Sequence, residues 1–143
     1  MRVFLDANIL FSAALTAGAV RRLIHDLRAV GCVLVADGYV WEEARRNLMF
    51  RDCAAVAELH ALVPLIELHT GVTWETGVPG GDAGGPVKRA GLSETVQPVI
   101  TAAVGLGSSV LITGDGRHFG TFLGRTVGGV RILSPGMAAK ELL

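Results

Sequence analysis

The feature that most constrains this chain is a series of short apolar runs that do not alternate with polar residues. Val3-Phe4-Leu5, Cys32-Val33-Leu34-Val35, residues 65–68, Val110-Leu111-Ile112-Thr113 and residues 130–133 all have this character. A strand with one wet face alternates in polarity, whereas a strand buried on both faces does not. Between the runs the pattern turns helical. Residues 9–14 and 17–29 read as helices, the second with Val20, Leu23, Ile24 and Leu27 on one stripe and Gly31 as its stop. Asp37 is placed to cap a helix running to about residue 50, and residues 53–62 form another. Ser93 caps a helix striped by Val96, Val99, Ile100, Ala103 and Val104, and Ser134-Pro135 opens a terminal one. Buried strands separated by helices predict a parallel sheet of about five strands inside a three-layer α/β/α sandwich. A length of 143 residues suits a single domain, 1–143.

Residues 70–91 break the rhythm, because Gly71, Gly77, Pro79, Gly80, Gly81, Gly84, Gly85 and Pro86 crowd together. A loop of that length in a compact domain is usually functional or disordered. It contains Trp74, which suits anchoring the loop or stacking on a base, and it ends on Lys88-Arg89.

Composition narrows the classes. Lys plus Arg and Asp plus Glu each total 13, so the chain is formally neutral. A nucleic-acid partner would then need a local basic patch, since phosphate neutralisation supplies most such affinity. Charged residues make up 18% of the chain, below the usual share of about 25%. That apolar surplus hints at a buried interface with a subunit or partner. Cys32 and Cys53 form no Cys-x-x-Cys pair and the four histidines lack ligand spacing, which argues against zinc. Asp6 interrupts any export-type apolar core near the N-terminus. The uncharged stretch 95–114 is broken by Gln97, Pro98, Gly105 and Gly107. A cytoplasmic chain without a membrane span is expected.

Two acids stand where strands end: Asp6 after Val3-Phe4-Leu5 and Asp115 after Val110-Leu111-Ile112-Thr113-Gly114. Ligands of open α/β sheets collect at the carboxyl ends of strands. Oxygen ligands converging there suit magnesium or manganese. Both residues also suit plainer roles, Asp6 as a helix cap and Asp115 as a turn residue. The helix after the second strand offers Glu42 and Glu43. Glu42 has Arg46 four residues on, the order of a solvated pair. Glu43 lies beside apolar Val40 and Ala44 and is the better inward-facing acid.

Three ordered motifs now stand out: Val3-Phe4-Leu5-Asp6-Ala7-Asn8-Ile9-Leu10, Glu42-Glu43-Ala44-Arg45-Arg46-Asn47-Leu48 and Thr113-Gly114-Asp115-Gly116-Arg117-His118-Phe119. In this order they resemble the PIN-domain family of ribonucleases, particularly bacterial VapC-type toxins, over essentially the whole chain. The resemblance implies a PIN-like fold and a Mg2+- or Mn2+-dependent endoribonuclease site. Its acids fall on Asp6, Glu43 and Asp115, with Asn8, Ser12 and Thr113 at supporting positions. For those three, local backbone hydrogen bonding is an equal reading. Arg117 and His118, next to Asp115, are the best candidates for RNA phosphates, ahead of Arg45-Arg46 and Lys88-Arg89. The resemblance also implies an RNA substrate, a small antitoxin partner and a homodimer. One acid of the family pattern is missing: its position falls on Val96, with Glu94 two residues away. That loss predicts weakened metal binding, or a binding module that has no catalysis.

Overall fold

The structure, a computed structural model, describes residues 1–71 and 92–143. Trp74 and Lys88-Arg89 lie outside the described residues, as does most of the glycine-rich stretch. The chain begins with β1 (Arg2–Leu5), α1 (Ala7–Leu15), α2 (Ala19–Ala29), β2 (Val33–Asp37) and α3 (Gly38–Arg51). A 3-10 turn (Cys53–Ala55), α4 (Val56–Ala61), a second 3-10 turn (Val63–Leu65) and β3 (Ile66–His69) follow. After residue 91 come α5 (Gln97–Gly105), β4 (Val110–Ile112), α6 (Gly116–Phe119), a 3-10 turn (Gly120–Phe122), β5 (Thr126–Val127), β6 (Val130–Leu133) and α7 (Pro135–Leu142).

The strands form one sheet in the order β3-β2-β1-β4-β6-β5. All neighbours are parallel except β5 and β6. Each non-alternating run is a parallel strand, and Val3, Phe4 and Leu5 are completely shielded from solvent. The three-layer α/β/α fold predicted from those runs is what forms, with one strand more than expected. That extra strand, β5, is two residues long, too short to leave a periodic signal. Gly128 and Gly129 make its turn, both with positive φ (59° and 82°), as a two-residue type I′ hairpin requires.

Helices cover the sheet. α1 packs against α2, α3 and α4, α5 against β4 and β6, and α2 against α7. Among the described residues no single helix is long and apolar enough to cross a membrane.

Three boundaries depart from expectation. β2 continues to Asp37, which is both its last residue and the cap of α3, accepting from the Val40 N–H. The segment 53–62 divides into a 3-10 turn and a shorter α4, because Asp52 caps the turn through the Ala54 N–H. Ser93 does not cap α5 through its side chain; its carbonyl accepts from Val96 and Gln97, and the helix begins at Gln97. Pro98 at the second helical position suits that later start, where a missing N–H costs nothing.

The topology positions the site. From β1 the sheet grows towards β2 and β3 on one side and towards β4 and β6 on the other. β1 and β4 therefore flank the point where strand order reverses, the usual place for a ligand crevice in such sheets. The Asp6 N–H donates to the Ile112 carbonyl at 3.0 Å, fastening the end of β1 to the end of β4.

Candidate acidic site at the strand ends

Asp6 leaves β1 and caps α1, its Oδ1 accepting from the Ala7 N–H at 2.7 Å. Its Oδ2 accepts from Thr113 Oγ1 at 2.7 Å and from Asn8 Nδ2 at 3.2 Å. The plainer reading of Asp6 as a cap is thus satisfied, and it leaves room for the other. Asp6 is only 4% exposed. Burial drives its pKa above the ordinary value, against the three hydrogen bonds, and the charge of Asp115 adds to the rise.

Thr113 and Asn8 tie the two strand ends together. Thr113 Oγ1 accepts from the Asp115 N–H at 3.1 Å while donating to Asp6. Asn8 Oδ1 accepts from the Gly114 N–H at 2.6 Å, and its Nδ2 also reaches Thr113 Oγ1 at 3.4 Å. Gly114 is needed for this approach, since a Cβ there would lie 3.2 Å from Asn8 Oδ1.

Asp115 caps the short α6. Its Oδ1 accepts from the His118 N–H at 3.0 Å and its Oδ2 meets His118 Nδ1 at 2.8 Å. Partial burial pushes its pKa up, but the His118 backbone and ring outweigh that and hold the carboxyl below its usual value.

Glu43 joins them from α3. It is half-buried and makes no hydrogen bond with a described residue. Burial raises its pKa first, and the charges of Asp6 and then Asp115 add to that, with Arg46 opposing. Glu42 points elsewhere: it is exposed and forms a bidentate pair with Arg45, three residues on. The pairing with Arg46 that the spacing predicted does not form.

Asp6, Glu43 and Asp115 share the wall of one cavity of about 380 Å3. Asn8 lines it too, as do Tyr39, Asn47, Arg51 and Thr95, which sequence reasoning passed over. The helical spacing of Tyr39, Glu43 and Asn47 could have found two of these, because residues four apart share a face. Ser12 does not line the cavity; its backbone carbonyl accepts from Thr16. Arg117 and His118 are exposed outside the lining, and His118 is held by Asp115. Asp37 shows that an acid at a strand end is not enough: it is buried, caps α3 and takes no part in the cavity wall.

Val96 also sits elsewhere than its alignment suggests. It is 1% exposed and part of the core, whereas its neighbour Thr95 reaches the cavity. Glu94 is exposed in the preceding turn and does not line the cavity.

Whether these residues suit a divalent cation can be tested on their chemistry. The donors are hard oxygens from three elements, and Glu43 is pressed electrostatically against two other acids, a conflict that a cation relieves. Among the described residues, however, no three His, Cys, Asp or Glu side chains stand together as a metal-binding group. The donor set fits Mg2+ or Mn2+ in kind.

Fold and site define an α/β protein with an acidic cleft at the switch point of a mostly parallel sheet. Among solved structures, a chain of VapBC2 from Rickettsia felis, crystallised with a DNA fragment from their promoter, shares this fold with a TM-score of 0.66. The match covers 94% of this chain and 98% of that one at 11% sequence identity, so the likeness is one of PIN-like architecture. No protein-family model matches the sequence, and no curated protein does.

Proposed function

We propose that the chain is a Mg2+- or Mn2+-dependent endoribonuclease, the toxin component of a toxin–antitoxin pair, that works as a homodimer neutralised by a small antitoxin. The observation that carries the catalytic part is the meeting of Asp6, Glu43 and Asp115 on one cavity wall, where burial first and neighbouring acids in addition raise the pKa of Asp6 and Glu43. The antitoxin partner is proposed by analogy with the VapBC2 complex, whose chain shares the fold.

Asp6, Glu43 and Asp115 would hold the cation, which when bound supplies Lewis acidity for water attack on a phosphodiester and neutralises charge on the phosphate. The protein's own contribution is orientation. Thr113 and Asn8 fix the Asp6 carboxylate, and the Thr113 hydroxyl fixes the Asp115 backbone. Such outer partners typically matter about 10–100-fold in metal affinity or activity.

The test is cleavage of a single-stranded RNA with Mn2+ by wild type and Asp6→Asn. Loss of cleavage in the variant supports the assignment, and unchanged cleavage would place the activity outside this site. A second reading, an RNA- or protein-binding module without catalysis, is favoured by one observation: the α5 side of the cavity presents the neutral Thr95 where another acid would help. Calorimetric titration with Mn2+ separates the two, because absence of saturable binding at millimolar metal leaves only the second.

A further inference from the structure

The outer face of α3 carries side chains that the core does not use. Tyr39, Glu43, Arg46 and Phe50 follow one another at steps of four, three and four residues, so they share a face. Phe50 is 95% exposed and Tyr39 50%. An aromatic ring left in water in this way packs nothing in the protein, and two on one helix face form a stacking surface. Arg46 lies on this face, and Arg51 sits about 140° round the helix from it, towards the cavity that it lines; neither forms an ion pair with a described residue. Arg45 is the arginine that Glu42 neutralises, while Arg46 opposes the charge of Glu43 without an ion pair among the described residues. The face is continuous with the cavity, since Tyr39, Glu43 and Arg51 all line it. From Tyr39 to Phe50 the helix axis runs about 16 Å, room for several successive nucleotides.

We propose that this face is the track for single-stranded RNA, with Tyr39 and Phe50 stacking on bases and Arg46 and Arg51 holding phosphates on either side of the acidic cavity. Exposed rings interleaved with unpaired arginines are the chemistry by which unpaired strands are held without sequence readout. This rests on the nuclease reading for its direction, from the track into the acids, but its test does not depend on cleavage.

The test is fluorescence anisotropy of a labelled single-stranded RNA dodecamer in EDTA, with the duplex form as control. Phe50→Ala is expected to weaken single-strand binding about 5- to 100-fold, and Phe50→Trp to retain it. Phe50→Leu, which keeps apolar area but not the stacking ring, should behave as Phe50→Ala. Arg46→Ala and Arg51→Ala should each make the slope of log affinity against log salt shallower by about 0.7. Circular dichroism melts should match wild type, because these side chains are exposed. Equal RNA affinity in all variants, or a preference for duplex, overturns the proposal. So does sedimentation showing a dimer that Phe50→Ala dissociates while RNA affinity holds, which would assign the face to a second copy. Metal-dependent cleavage with unaffected α3 variants would sink the track and keep the nuclease. Binding through α3 with no cleavage would do the reverse.

Discussion

At Asp6 a carboxylate is withdrawn from water and receives three hydrogen-bond donors in return, and burial still wins. The sign of the consequence follows. Because the folded-state pKa lies above the ordinary value of 3.8, the folded protein binds the extra proton, and stability falls as pH rises through the interval between the two. Above it, the ionised carboxylate is a standing cost to the fold. Asp6→Asn should therefore raise the urea midpoint at pH 7 and leave it nearly unchanged below pH 3.8, while removing Mn2+ binding. An amide retains an oxygen for the Ala7 N–H and a donor for Thr113. A lower midpoint at pH 7 would mean that the carboxylate is structural. The pair Thr95 and Val96 gives a second contrast at this scale. Thr95→Asp adds an acid to the cavity wall and should tighten Mn2+ binding in calorimetry with little change in melting. Val96→Asp, which the alignment alone would recommend, puts an unpaired charge in the core and should cost about 3–5 kcal/mol. If Val96→Asp folds normally and binds manganese better, the register of that helix start is wrong.

Between elements, the junction of β1, α1, β4 and α6 is held by two polar side chains. Thr113 Oγ1 donates to Asp6 and accepts from the Asp115 N–H, while Asn8 takes the Gly114 N–H. Thr113→Val keeps the volume, removes the hydroxyl's three bonds and leaves a buried carboxylate short of a donor. Such a loss costs about 1–3 kcal/mol, measurable by urea denaturation, and it should raise the pKa of Asp6 further. An unaltered midpoint would show that the Thr113 hydroxyl contributes nothing to holding the loop after β4. This junction also explains what could be read in advance. The five parallel strands were legible because burial on both faces writes continuous apolar runs. Asp6, Glu43 and Asp115 were legible from strand ends and helix phase. The start of α5 was not, because Ser93 is a plausible cap by type, whereas the observed turn uses its carbonyl. Nor was β5, whose two residues carry no period. Thr95 and Arg51 were missed because their place on the cavity wall depends on how helices far apart in sequence approach, which local spacing does not encode.

For the molecule as a whole, the acids at the strand ends couple ion binding, protonation and stability. A cation that binds the folded state alone stabilises it by about 2.7 kcal/mol at a hundredfold excess over Kd, so Mn2+ should raise the melting temperature at neutral pH and EDTA should reverse the rise. Binding requires ionised carboxylates. Asp115 sits below its ordinary value and remains ionised longest as pH falls, but Asp6 and Glu43 are both raised, each by burial first and by neighbouring acids in addition. Protons therefore compete for the site sooner than at isolated carboxyls. The Mn2+-induced rise should shrink as pH is lowered, because protons and the cation compete for the same carboxyls. Glu43→Gln should diminish the rise at every pH, since it deletes one of three proposed ligands. Differential scanning fluorimetry across a pH series, with and without Mn2+, reads both effects. A Glu43→Gln response equal to wild type would remove Glu43 from the metal site and leave Asp6 and Asp115 to bind the ion without it.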